Sequence, residues 1–586
     1  MRSKLPGRPV MRFFARRGRR ALFFWPAALL CAGLCGAPTS RAASEIPHLE
    51  KRGAATQLIV DGEPWLILGA ELRGTASSTL VNMSTIWPEL ERLNLNTVLL
   101  ALGWDWIEPE EGRFDFSLVD GLIDAARKHH QRIVFLWFGT WKNGISSFAP
   151  AWVKRDQRRF ARARLQNGRS VEILSPFSSA ALEADTRAYV ALMQHLKAVD
   201  DRHTVLMMQM QNEVGLNGDS RDRGAAGEKA FAAAVPAELM QYLGAHKAHL
   251  SPELARHWAD AGSKSRGTWT QVFGEGPITD DLFMAWSYAR YLNHVSAAGK
   301  AVYPLPVFTN TALAEIWSKR THPYPAGGPQ YYLLDVWKAG APSIDFNSPD
   351  VYAPNFDEIV ANFHRDDNPL FIPESAADAH GIANAFFAIG AHAAIGYSPF
   401  GIDDTAWLIN FRPDKGTPGT EDFDNTPLAK GYSVLHNLAP VILAHQASGA
   451  IGAAWLNKAK PSQDIVLGDY TLKVELRRST RDQGFLSELG YGLAVALGAN
   501  EFLIAGSDVQ VTFQPRTPGP AIAGIADAEV GRFEDGHWVA TRKVNGDDIL
   551  LNYKLAEQAE INQSGSGLRF LPGPPVIQRV TLYRYD

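Results

Sequence analysis

The chain has 586 residues, 46% hydrophobic and 20% charged, which supplies apolar material for a large core and argues against wholesale disorder. That length exceeds one ordinary domain, so a large unit with a companion is expected. Nine Lys and Arg and no acid fall in the first 42 residues; without them 49 basic residues face 62 acidic ones, a formal charge of −13 that repels phosphate backbones and excludes nucleic acid as a partner.

That basic start is followed by an apolar run, Ala21 to Ala37, and by Ser40-Arg41-Ala42. The pattern predicts a secretory signal peptide cut after Ala42, hence an exported, periplasmic or extracellular protein with no membrane span in its mature chain. Cys31 and Cys35 both lie in this segment, so the mature chain is expected to have no disulfide, thiol nucleophile or thiolate metal site.

From Leu58 onward, short β-branched or aromatic runs alternate with helical stretches, the pattern of repeated βα units. Eight strands are predicted: Trp65 to Glu71, Asn96 to Leu102, Arg132 to Phe138, Val205 to Gln211, Pro306 to Asn310, Ile344 to Tyr352, Leu370 to Pro373 and Ala394 to Phe400. Amphipathic helices are clearest at Leu118 to His129 and Ala180 to Ala198. The expected fold is an α/β (β/α)₈ barrel over residues 43–443, with an elaborated connection at 214–305 walling the cleft. After Leu443, runs such as DIVLGDYTLKVELRR and VIQRVTLYRYD predict an antiparallel β-sandwich over 444–586.

Two glutamates close apolar runs: Glu213 in MMQMQNEVG and Glu374 in LFIPESA. Acidic side chains at the C-terminal ends of barrel strands occupy the face where such folds keep their chemistry. A pair of them suits glycoside cleavage with retention, in which one carboxylate attacks and one carboxylic acid protonates the departing oxygen. By position Glu213 is expected as acid/base and Glu374 as nucleophile. Asn212 is expected to donate to the sugar 2-OH and Tyr352 to Glu374. Trp104, Trp137, Trp141, Trp286 and Trp407 fall near strand ends or in long loops, where an indole face can stack on a pyranose or simply fill space. No HExxH spacing, P-loop or GxSxG elbow occurs, and no metal or cofactor is expected.

The segment LNLNTVLLALGWDWIEPEEGRFDFSLVDGLIDAARKHHQRIVFLWFG resembles the second and third βα units of glycoside hydrolase family 35, the β-galactosidases, where WNxHEPxxGxFDF is typical. GAELRG (Gly69 to Gly74), MQMQNEVG and FIPESA are similar to that family's first, acid/base and nucleophile strands. The resemblance implies an exo-acting retaining β-galactosidase on an oligosaccharide or polysaccharide, with xyloglucan side chains as the substrate of a bacterial branch that has a similar C-terminal β-domain. It carries Glu213, Glu374 and Asn212 over by motif. The family's usual Asn and His are here Asp105 and Ile107, and its Cys-Ala-Glu-Trp is Thr140-Trp141-Lys142-Asn143. Sugar hydroxyls are therefore expected to meet Glu71, Asp105, Lys142 and Asn143. Rival readings are another retaining barrel glycosidase (a β-galactofuranosidase, an α-L-arabinosidase or an endo-β-glycanase) and a non-catalytic carbohydrate-binding protein.

Overall fold

The computed structural model describes residues 45–314, 325–403, 426–477, 485, 487–545, 548–550 and 566–586. The expected signal segment and Trp407 lie outside them. Ser44–Asp586 forms one compact unit.

Eight parallel strands form its centre: β1 (Ile67–Glu71), β2 (Thr97–Gly103), β3 (Arg132–Lys142), β4 (Val205–Asn212), β5 (Val307–Ala312), β6 (Phe346–Val351), β7 (Glu374–Ser375) and β8 (Gly396–Tyr397). Each neighbours the next, β8 pairs with β1, and an Ile372 to Tyr397 bridge joins the seventh segment to the eighth. The sheet therefore closes into a (β/α)₈ barrel. β3 runs to Lys142, beyond its predicted end. The seventh strand was expected over Leu370 to Pro373, yet its ladder to β6 begins at Glu374. Pro373 explains the break, because it has no N–H to donate; Ile395 N still donates to Leu370 O and Ser398 N to Ile372 O.

Inside the barrel Ile67, Leu99, Ala101, Val134, Leu136, Phe138, Phe308, Phe346 and Phe371 pack as one cluster. A short antiparallel sheet, His48–Arg52, Ala55–Val60 and Glu63–Trp65, adds Leu58 and Val60 to it. Trp65, expected to start β1, belongs to this separate sheet, in register with Leu58. Bulky apolar side chains thus fill the barrel, and polar ones collect at the C-terminal ends of the strands.

Outside lie helices including α1 (Ser179–Val199), α2 (Pro277–Val302), α3 (Ala379–His392) and α4 (Pro427–Gln446). Between β4 and α2 the chain folds into four shorter helices, Ala225–Ala232, Ala237–Ala245, Pro252–Asp260 and Trp269–Phe273. After α4 come two antiparallel sheets, of six and five strands, around a second apolar cluster. Asp508, at φ 56°, divides Glu501–Ser507 in the larger sheet from Val509–Pro515 in the smaller, so one continuous run crosses between layers. Among the described residues no helix is long and apolar enough to cross a membrane.

Candidate active site

The alternation of a strand sends every second side chain inward. On β1, β5 and β6 the inward residues Ile67, Phe308 and Phe346 are followed at even spacing by Glu71, Asn310 and Asp350. Glu213 follows β4 directly, and Asp350 is in register with Glu374 on the neighbouring strand. Carboxyl oxygens of Glu213, Asp350 and Glu374 all lie within 4.8 Å of one another. That closeness matches a retaining pair, whose carboxyls stand about 5–5.5 Å apart.

The end of β4 is bent by unusual backbone. Gln211 (φ 59°) and Glu213 (φ 45°) are left-handed, a conformation costly for residues with a Cβ and one that clusters at functional sites. The bend has an anchor on each side. Gln211 Nε2 donates to Asp185 Oδ2 (2.9 Å), and its Oε1 accepts from Trp141 N (2.8 Å). Glu213 N donates to Asn310 Oδ1 (3.0 Å). Asn143 N donates to Asn212 O (3.0 Å), while Asn212 Nδ2 donates to Asn143 Oδ1 (3.2 Å).

Electrostatics separate the carboxyls. Burial, then repulsion by Glu374, pushes Glu213 up to about 7, opposed by Lys142 and by a hydrogen bond from Asp350. Tyr352 OH donates to Glu374 Oε1 (2.7 Å), and burial with that carboxylate beside it drives the phenol far above its ordinary value. Glu71 is fully buried, and neither of its oxygens has a hydrogen-bond partner among the described residues. Burial and then Glu374 raise it well above the carboxylate range. Asp350 is raised likewise, by burial first and then by Glu374 and Glu213.

The expected site residues divide into two groups. Glu71, Lys142, Asn143, Asn212, Glu213, Tyr352 and Glu374 come together. Trp104, Trp137 and Trp141 do not offer faces to a ligand, a correction with a clear cause. All three are essentially inaccessible, with indole N–H groups spent on Glu108 Oε2, Asp185 Oδ1 and Leu174 O respectively. Their rings pack on Trp152, Tyr189 and the Tyr288–Tyr291 pair. Trp286 lines a separate cavity of about 800 Å³ between outer helices, with Phe177, Trp269, Arg290 and His294 and none of the four clustered carboxyls. At Asp105 burial lifts the carboxyl to about 6, opposed by the charge of Lys154. Asp350 and Asn310 went unforeseen, although the alternations Phe346-Ser348-Asp350 and Phe308-Asn310 carry the signal.

The oxygens of Glu213, Asp350 and Glu374 are also near enough to hold a cation, and an all-carboxylate set suits hard ions such as Mg²⁺ or Ca²⁺.

Residues 83–274, which contain β2 to β4 and Glu213, match the family model of glycoside hydrolase family 42, described as beta-galactosidase. That stretch of the barrel is similar to the β-galactosidases of that family. Its matching model is that of family 42, where the motifs resembled family 35, so the match supports the kind of enzyme and not the family-35 assignment. Residues 428–555 match a domain of unknown function, DUF5597. No curated protein matches the chain. Among solved structures it is similar to a β-galactosidase from Bacillus circulans sp. alkalophilus (16% identity, 64% of this chain and 57% of that one, TM-score 0.43). It is similar also to the β-amylase catalytic domain of Paenibacillus polymyxa (13%, 62% and 98%, 0.42) and a β-galactosidase from Rahnella sp. R3 (16%, 64% and 57%, 0.42). The chain thus spans 57% of the length of either β-galactosidase.

Proposed function

We propose that this protein is an exported, retaining, exo-acting β-galactosidase that removes terminal galactose from a plant-type oligosaccharide such as a xyloglucan side chain. The observation that carries the reading is the pair Glu213 and Glu374, close together in unlike surroundings: the first is lifted to about 7, and the second accepts a phenolic hydrogen bond. In the first step Glu374 attacks the anomeric carbon while Glu213 gives its proton to the glycosidic oxygen, leaving a glycosyl-enzyme and a free alcohol. In the second, the Glu213 carboxylate takes a proton from water, whose oxygen displaces Glu374. Asn212 donates to the sugar 2-OH, Lys142 and Asn143 border the same sugar, and the Glu71 oxygens, which have no hydrogen-bond partner among the described residues, meet its hydroxyls. The motif resemblance supports the xyloglucan substrate, and the basic and apolar N-terminal text supports export.

A panel of nitrophenyl glycosides tests this. Release from the β-galactoside is expected, abolished by Glu374→Ala and slowed on the order of 10²–10⁴-fold by Glu213→Ala, with azide restoring turnover in the latter as a β-galactosyl azide. Turnover of a different glycoside instead would move the sugar and keep the mechanism. Both carboxyls must be free to act, so dialysis against a chelator is expected to leave the rate unchanged; a loss restored by Mg²⁺ or Ca²⁺ would mean the cluster works around a cation.

A further inference from the structure

The cavity beside Trp286 has no part in the two-step scheme. It encloses about 800 Å³, within the range of small-molecule sites, between α2 on one side and Ala230, Ala233, Ala234 and Pro236 of the connection after β4 on the other. Small side chains on that second wall leave the space open, and aromatic rings line its depth. Phe177 stacks on Phe283 (centroids 5.4 Å apart, planes 14° apart), and Trp269 meets Phe283 edge-on at 5.4 Å. Trp269, Phe283 and Trp286 are buried, whereas Arg290, His294 and Ala297 are exposed, so the mouth lies along α2. Some polar groups of the lining are already bonded: Ser287 Oγ donates to Phe283 O (2.8 Å), Tyr291 OH lies 2.8 Å from Thr140 Oγ1, and Asn293 Oδ1 accepts from Ser343 N (2.9 Å). The Asn293 amide N–H groups, the His294 ring and the Arg290 guanidinium have no hydrogen-bond or carboxylate partner among the described residues. Arg290 lies over the Trp286 ring, 5.6 Å from its centre. No Asp or Glu lines the cavity, although acidic residues outnumber basic ones in the chain.

We propose that this cavity binds an aromatic carboxylate: the ring enters among Phe177, Trp269 and Trp286, and the carboxylate pairs with Arg290 at the mouth while Asn293 and His294 donate beside it. The three polar residues share one face of α2, and the planar fork of a guanidinium matches a carboxylate with two parallel hydrogen bonds. A sugar fits less well, because its hydroxyls need acceptors as well as donors and most of the lining is apolar carbon. An alkyl carboxylate would satisfy Arg290 equally but forgoes the edge and face contacts that aromatic walls offer a ring. None of Glu71, Glu213, Asp350 and Glu374 lines the cavity, so its occupancy is independent of the glycosidase reading.

Calorimetric titration of the full chain with cinnamate is the test, with cinnamyl alcohol as its uncharged counterpart and galacturonate as a carboxylate that has no aromatic ring. Cinnamate is expected to bind with a Kd below about 1 mM, and about tenfold more tightly than either of the others, the factor that a hydrogen bond to a charged group contributes. Arg290→Met should weaken cinnamate about tenfold, and Ala297→Trp, which fills the mouth, should abolish its binding. Both positions are exposed on α2, so the melting temperature and the release of nitrophenol from a glycoside are expected to stay at their wild-type values. Should Arg290→Met not fold, Ala297→Trp decides alone. The proposal is overturned by an absence of heat at about 10 mM cinnamate, by equal binding of the alcohol, by tighter binding of galacturonate, or by cinnamate binding that survives Ala297→Trp. A dimer in sedimentation that Ala297→Trp breaks would give the cavity to a second copy of the chain and overturn it as well.

Discussion

Glu213 stands close enough to Glu374 to feel its charge, and pH is the variable that exposes the contact. The acid must hold its proton, and its folded value is raised to about 7, so kcat/KM is expected to be intact below that value and to fall as pH rises through it. Repulsion by Glu374 is the second cause of the raised value, after burial. Glu374→Gln removes that charge, and the Glu213 NMR midpoint should then drop by roughly one unit. An unchanged midpoint would show that the two carboxyls do not sense each other. These two glutamates were legible in the sequence because each ends an apolar run, and a charge just past a buried strand has the strand's open end to occupy. Asp350 and Asn310 carry a weaker signal, since they stand within strands, where a polar residue also reads as a solvent-facing position. The tryptophans misled for a related reason. An indole near a strand end can face the helix layer as easily as the cleft, and only the partner of its N–H tells which.

The element that delivers the acid is the bent end of β4, and its support lies in the layer behind. Asp185 on α1 accepts from Trp137 Nε1 (2.8 Å), Thr140 Oγ1 (2.6 Å) and Gln211 Nε2 (2.9 Å), tying β3 to β4 from outside the barrel. Gly139 is needed there, because a Cβ would come within 2.5 Å of Trp137 Nε1 and 2.6 Å of Asp185 Oδ1. Asp185→Ala orphans the buried donors of Trp137 and Gln211, while Thr140 Oγ1 keeps Tyr291 OH (2.8 Å); each orphan costs about 1–3 kcal/mol, so a loss of at least about 2 kcal/mol is expected in urea unfolding. Whatever remains folded should also lose kcat, because Gln211 no longer fixes the turn that carries Glu213. Full stability in Asp185→Ala would show that water replaces the carboxylate. The strands themselves were readable from composition. The connection at 214–305 was readable only as an interruption, because its last helix, α2, packs on α1 as an ordinary barrel helix although four inserted helices precede it.

Across the whole molecule one apolar cluster runs from the barrel into the β-sandwich: Phe386, Phe387 and Ile389 of α3 share it with Trp455, Tyr491, Leu493 and Val495 of the larger sheet. Phe386 meets Tyr491 edge-on at 5.0 Å, and a Cβ on Gly390 would stand 2.7 Å from that of Ala453, so helix and sheet touch almost backbone to backbone. Asn437 of α4 exchanges hydrogen bonds with both backbone groups of Phe533, and Lys460 pairs with Asp357 (2.7 Å). An interface this apolar behaves as core, so residues 43–586 should unfold in one calorimetric transition. A chain ending at Gln446 leaves the outer face of α3 bare and is expected to aggregate, whereas Gly390→Leu, which forces the layers apart, should lower the single melting temperature without splitting it. The contrary result is equally concrete. A soluble truncated barrel that still cleaves a nitrophenyl glycoside but no longer works on polysaccharide would make the sandwich a device for holding substrate.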